Sequence, residues 1–135
     1  TITEIELDVR GKRAETLQDI WLAIYWDGQE EPGVFAPVGA LFGSALRSGD
    51  YGGPVFGRQG DRMYLRYPMP FMYGAEIRLI NTSDQKVDYA YNLTWRDGAA
   101  SDRYFHARYN EATTKAGEPY TVARIFGQGH YVGTV

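Results

Sequence analysis

The stretch Tyr104-Phe105-His106-Ala107-Arg108-Tyr109 has the residue types of a strand, and strand alternation places Tyr104, His106 and Arg108 on one sheet face. A ring that stacks, an imidazole and a guanidinium on one face suit a sugar or a carboxylate ligand. The same trio also reads as a hydrogen-bonded sheet surface that binds nothing. Asp27 follows Trp26, with Glu30 and Glu31 close behind. A carboxylate beside an indole can face a ligand, although turn acids are ordinarily solvated. Glycosidases use two carboxylates about 5 Å apart for retention and further apart for inversion. The chain holds 17 acidic residues, and no spacing singles out such a pair. His130 follows Gly127 and Gly129, glycines that allow close approach of backbone to a ligand. The candidate substrate-binding residues are therefore Trp26, Asp27, Tyr104, His106, Arg108 and His130.

Other chemistries are disfavoured by composition. With no cysteine, the chain has no disulfide, thiolate metal site or cysteine nucleophile. Two histidines without a short His-carboxylate motif do not make a zinc site, so no metal and no cofactor is expected. Gly127-Gln128-Gly129 lacks the spacing of a dinucleotide-binding loop, and no G-x-S-x-G marks a nucleophilic serine. A formal charge of -3 with scattered basic residues offers no surface for nucleic acid or an anionic membrane. The longest strongly apolar run, Ile20 to Trp26, is far below the ~20 residues of a spanning helix.

The elements that must carry these residues are strands. The 135 residues are enough for one domain, 1–135, and 16 Gly, 6 Pro, 11 Tyr, 3 Trp and 6 Phe favour sheets and turns over helices. Ile5, Leu7 and Val9 alternate with acids as a half-buried strand. Ile20 to Trp26 is apolar on both parities and predicts a central strand buried on both faces. Val34 to Ala36 predicts a short strand, and Leu41 to Leu46 one helical turn. Gly49 to Gly60 reads as an exposed loop, and Met63 to Tyr67 as a strand. Strands from Ala75 to Ile80 and Val87 to Trp95, joined across Asn81-Thr82-Ser83-Asp84, predict a hairpin. Tyr104 to Tyr109, Tyr120 to Phe126 and His130 to Val132 complete seven or eight strands. The fold class is all-β: a jelly-roll-like β-sandwich.

Five ordered blocks also resemble one family. They are Thr1-Ile2-Thr3-Glu4-Ile5; Ile24-Tyr25-Trp26-Asp27-Gly28 leading to Pro37-Val38-Gly39-Ala40-Leu41-Phe42-Gly43; Tyr67-Pro68-Met69-Pro70-Phe71 with Ile77 to Asn81; Tyr104-Phe105-His106-Ala107-Arg108; and Gly127-Gln128-Gly129-His130-Tyr131-Val132-Gly133-Thr134. Together they resemble the glycoside hydrolases acting on fructofuranosides and arabinofuranosides, formerly a domain of unknown function, which include difructose-dianhydride synthase/hydrolases. The resemblance implies one half of a double jelly roll, assembled as trimers or hexamers. It places the two catalytic glutamates beyond the Gly-His-Tyr-Val-Gly-Thr block, so no catalytic residue carries over. The expectation is a chain truncated at both ends relative to the family, partnered by the remainder of the parent polypeptide or other copies of itself, and by an oligosaccharide. A bacterial setting, secreted or periplasmic, goes with the resemblance. The alternative is a non-catalytic, capsid-like assembly or carbohydrate-binding module.

Overall fold

In the computed structural model, which describes residues 1–10, 16–44, 49–98 and 102–134, nine strands and two single-turn helices follow one another along the chain. They are β1 (Ile2–Val9), α1 (Thr16–Asp19), β2 (Ile20–Trp26), β3 (Val34–Pro37), α2 (Val38–Leu41), β4 (Tyr51–Gly52), β5 (Phe56–Gln59), β6 (Arg62–Leu65), β7 (Ala75–Asn81), β8 (Tyr89–Trp95) and β9 (Ala107–Arg108). One sheet has the order β4-β5-β6-β1-β8 and the other β7-β2-β3-β9. All pairings between named strands are antiparallel except β3 with β9. The fold is the all-β sandwich that alternation predicts.

Apolar alternation decides which face turns inward. Ile5, Leu7 and Val9 of β1, Leu22, Ile24 and Trp26 of β2, and Met63 and Leu65 of β6 are buried in one cluster. Ile2 is buried as well although its parity is opposite to that of Ile5, because the pairing of β1 with β8 shifts register between Ile2 and Glu4. That irregularity lets both isoleucines face the core. Ile2 is further held by reciprocal backbone hydrogen bonds with Met69, at 3.0 and 2.9 Å.

Four expectations need correction. β2 is interior to its sheet, but its second face is only half-covered: Trp21 packs on Phe35 at 4.7 Å between ring centroids and edge-on to Tyr109 at 5.9 Å. Phe35 of β3 and Tyr109 cover that face in part. The helical turn forms earlier, over Val38–Leu41, while 45–48 lies outside the described residues. The glycine-rich stretch is not a loop throughout, because β4 and β5 pair within it. Gly57 stands opposite Tyr64, whose ring occupies the space a Cβ would need; its hydroxyl donates to the Gly53 carbonyl at 2.9 Å. The glycines there make room for a tyrosine. Finally, β7 and β8 do not form a hairpin. The side chain of Asn81 organises the turn, accepting from the Ser83 N–H at 3.0 Å and donating to the Gln85 carbonyl at 2.8 Å. Beyond it the chain crosses to the other sheet, where β8 pairs with β1.

The C-terminal third departs furthest from the alternation. Of Tyr104 to Tyr109 only Ala107–Arg108 is strand, and 120–126 and 130–132 form none. Residues 109–134 are exposed throughout. Periodicity indicates which residues could pleat, whereas a strand needs a neighbour to bond with.

β9 is docked at one crowded point. The Gly33 carbonyl accepts from the Ala107 N–H at 3.1 Å, the Gly33 N–H donates to Ile24 at 2.8 Å, and a Cβ on Gly33 would overlap the Trp26 indole. Gly33→Ala should therefore lower the unfolding free energy by about 1–3 kcal/mol. Gly74→Ala, where a Cβ meets nothing within 4 Å, should stay within about 0.5 kcal/mol of the parent. Urea unfolding monitored by tryptophan fluorescence measures both. Equal stability of the two variants would show that the indole moves aside without cost.

Candidate functional site

The end of β2 gathers three distant segments. Trp26 is fully buried and donates its indole N–H to the Phe105 carbonyl at 2.8 Å, while its ring stacks on Phe71 at 6.3 Å. Asp27 and Gly28 both take positive φ, 50° and 74°, and the Gln29 N–H closes the turn onto the Trp26 carbonyl at 2.9 Å. Two consecutive left-handed residues suit Asp-Gly, since aspartate tolerates that region and glycine has no Cβ to strain.

This turn aims the Asp27 carboxylate at the segment before β7. Its Oδ1 accepts from the N–H groups of Met72, Tyr73 and Gly74 at 3.1, 2.6 and 2.8 Å, and its Oδ2 accepts from the Tyr104 hydroxyl at 2.8 Å. The Asp27 N–H in turn donates to the Gly74 carbonyl at 2.8 Å. Burial acts to raise the Asp27 pKa, but the backbone donors of Gly74, Met72 and Tyr73, together with Tyr104, outweigh it. They hold the carboxyl far below the ordinary carboxylate range. The same bond to Asp27, with burial, raises the Tyr104 phenol. Asp27 is thus a clamp that is ionised at neutral pH with both oxygens engaged.

The six residues singled out in the sequence divide accordingly. Trp26, Asp27 and Tyr104 come together at this clamp. Trp26 is interior and presents no free stacking face. Arg108 donates from its guanidinium to the Pro32 carbonyl at 2.6 Å, so Tyr104 and Arg108 both lie along the 27–33 connection. His106 is exposed, and because only Ala107–Arg108 is strand the expected shared sheet face of Tyr104, His106 and Arg108 does not form. His130 is exposed in the C-terminal segment.

Beside the clamp lies an open groove of about 510 Å³, bordered by Tyr25, Gln29, Glu30, Glu76 and Arg78. Only Glu30 was noticed from the sequence. Glu76 and Arg78 share a face of β7, and the Arg78 Nε lies 2.7 Å from the Glu76 Oε1. The guanidinium carbon sits 4.6 Å from the centre of the Tyr25 ring. The hydrogen bond from Arg78 keeps the Glu76 carboxyl below its ordinary value, and Glu76 raises the arginine in return. A carboxylate that accepts beside a guanidinium that donates matches neighbouring hydroxyls of a sugar. The sequence signal was the charge alternation along β7, but nothing in it indicated that β7 would lie against β2 and bring Arg78 over Tyr25. Among the described residues no group of three or more His, Asp or Glu side chains is arranged to hold a metal ion.

Because Asp27 remains ionised in the folded chain to lower pH than when unfolded, its contribution to stability is complete above about pH 5. It is lost as pH falls through the ordinary carboxylate range towards the depressed folded value. Asp27→Asn should cost roughly 2 kcal/mol at neutral pH through weakened hydrogen bonds to a charged acceptor. The variant should also show a shallower loss of stability on acidification. Denaturant titrations at neutral pH and near pH 3 measure both effects, and an unchanged acid slope in the variant would refute the clamp.

A family model described as GH172 domain-like matches residues 1–93. No curated protein matches the chain. The matched span contains both sheets from β1 into β8, the Asp27 turn and all the groove residues, whereas Tyr104, His106, Arg108 and His130 follow it. On this match the chain belongs to the GH172 domain-like family, a glycoside hydrolase relation.

Proposed function

We propose that the chain is the sugar-facing scaffold of a glycoside hydrolase acting on fructofuranosides or arabinofuranosides, and that the groove beside Asp27 receives a furanose ring. The observation that carries this reading is the family membership. The groove supports it: about 510 Å³ suits a small saccharide, and Arg78, Glu76, Gln29 and Tyr25 supply donors, acceptors and a ring. In this reading Tyr104, His106 and Arg108 extend sugar contacts along the 27–33 connection.

The division of labour follows from protonation. In a retaining mechanism one carboxylate attacks the anomeric carbon, and a protonated one donates to the leaving oxygen. Asp27 and Glu76 are both held ionised by hydrogen bonds, and the Asp27 oxygens are already engaged. Neither is suited to be the proton donor. The reacting glutamates then come from another part of the parent polypeptide or from another copy, facing this groove. A bacterial, secreted or periplasmic setting accompanies this reading.

Calorimetric titration of the chain with methyl fructofuranoside, methyl arabinofuranoside and a methyl pyranoside tests binding. Furanoside binding should be measurable and should weaken roughly tenfold in Arg78→Ala, the effect of losing a charged hydrogen-bond partner. Absence of furanoside binding, or binding indifferent to Arg78→Ala, would exclude the groove. In the full-length protein, His106→Ala with Arg108→Ala should reduce both furanoside hydrolysis and binding. If neither changes, that face is not part of the sugar site.

A further inference from the structure

Three charged side chains border the groove among the described residues: Glu30 from the turn after β2, and Glu76 and Arg78 from β7. Two carboxylates thus face one guanidinium. That guanidinium is already answered, because the Arg78 Nε lies 2.7 Å from the Glu76 Oε1 and its carbon lies 4.6 Å from the centre of the Tyr25 ring. Glu30 is exposed and has no ion-pair partner among the described residues. The charge left over at the groove is negative.

The backbone does not offset it. Clustered N–H groups are the usual alternative to a cation for holding an anion. The N–H groups of Met72, Tyr73 and Gly74 form such a cluster at the groove's edge, and the Asp27 carboxylate fills it at 3.1, 2.6 and 2.8 Å. The protein's own anion occupies the place where a ligand's anion would sit. Arg108, on the 27–33 connection, is turned onto the Pro32 carbonyl at 2.6 Å. Hydrogen bonds keep both Asp27 and Glu76 ionised at neutral pH.

We propose that Glu30 and Glu76 restrict the groove to uncharged saccharides and exclude sugars that carry a phosphate or a carboxylate. This selectivity rests on the groove's being the furanose site, and it names the residues that choose among furanosides. A neutral ring loses nothing, since its hydroxyls donate to the carboxylates and accept from Arg78. An anionic substituent instead meets the Glu30 charge where the bordering cation is already paired, and like charges brought together reject a competing ligand. Glu76 acts through Arg78. By neutralising the guanidinium it removes the anion receptor that the groove would otherwise have.

Calorimetric titration of the full chain compares methyl fructofuranoside with its 6-phosphate and methyl arabinofuranoside with its 5-phosphate. Acetyl esters at the same hydroxyls serve as uncharged substituents, and each variant's circular dichroism is matched to the parent. The phosphate should bind roughly tenfold more weakly than the neutral sugar, with the acetyl ester close to the neutral sugar. The gap should narrow at high salt, where exposed charges are screened. Glu30→Gln should bring the ratio of the two affinities towards one, Glu30→Asp should preserve it, and Glu76→Gln should reverse it by freeing Arg78. A phosphate bound as tightly as the neutral sugar, an acetyl ester excluded as strongly as the phosphate, or a ratio unmoved by Glu30→Gln and Glu76→Gln overturns the proposal and leaves the groove as the furanose site. If neither methyl furanoside binds, the furanose site itself fails, and the selectivity with it.

Discussion

One dipeptide at the end of β2 holds this protein's distant parts in place. Trp26 reaches forward to the Phe105 carbonyl, and Asp27 reaches to the backbone of Met72, Tyr73 and Gly74 and to the Tyr104 hydroxyl. Without these bonds the segment before β7 and the segment before β9 would have only weak reasons to meet. The cost is a half-buried carboxylate, offset by three N–H donors and a phenol, each stronger for bonding to a charge. A non-glycine residue at positive φ is the conformational price of aiming it.

The groove exists because of that clamp. Gly28, Gly74 and Ala75 border it, and the bonds between Asp27 and 72–74 hold its two walls together. Tyr25, Glu76 and Arg78 come from two strands that pair side by side, so their spacing is set by the sheet, whereas Gln29 and Glu30 come from the turn after β2. Rigid placement of this kind is what a sugar site needs, since hydroxyl groups are told apart by direction more than by charge. Asp27 illustrates a general risk in reading acids as catalytic: a carboxylate saturated with hydrogen bonds organises a site without reacting in it.

The two flanks of the sandwich are finished differently. At the β4/β5 end Tyr64 covers Gly57 and closes a hairpin tip with its own hydroxyl. At the β7/β8 end tyrosines that face inward remain in water. Those side chains are placed on a core-facing parity by the same alternation that buries Ile5 and Leu7.

Much of this was legible in the residues alone. Alternation in β1, β7 and β8, the apolar run of β2, the Asp27-Gly28 turn and the sandwich class all follow from local chemistry, because a side chain's parity and a turn's φ preference are properties of a few adjacent residues. The association of Tyr104 with Asp27, the Glu76–Arg78–Tyr25 groove and the crossing of β8 to the other sheet were decided only in three dimensions. Each depends on which strands become neighbours, and pairing partners are chosen by the summed burial of whole faces, a quantity no short stretch contains. Tyr120 to Phe126 shows the limit from the other side: it has the pattern of a strand, but a pattern becomes a strand only where an edge is there to meet it.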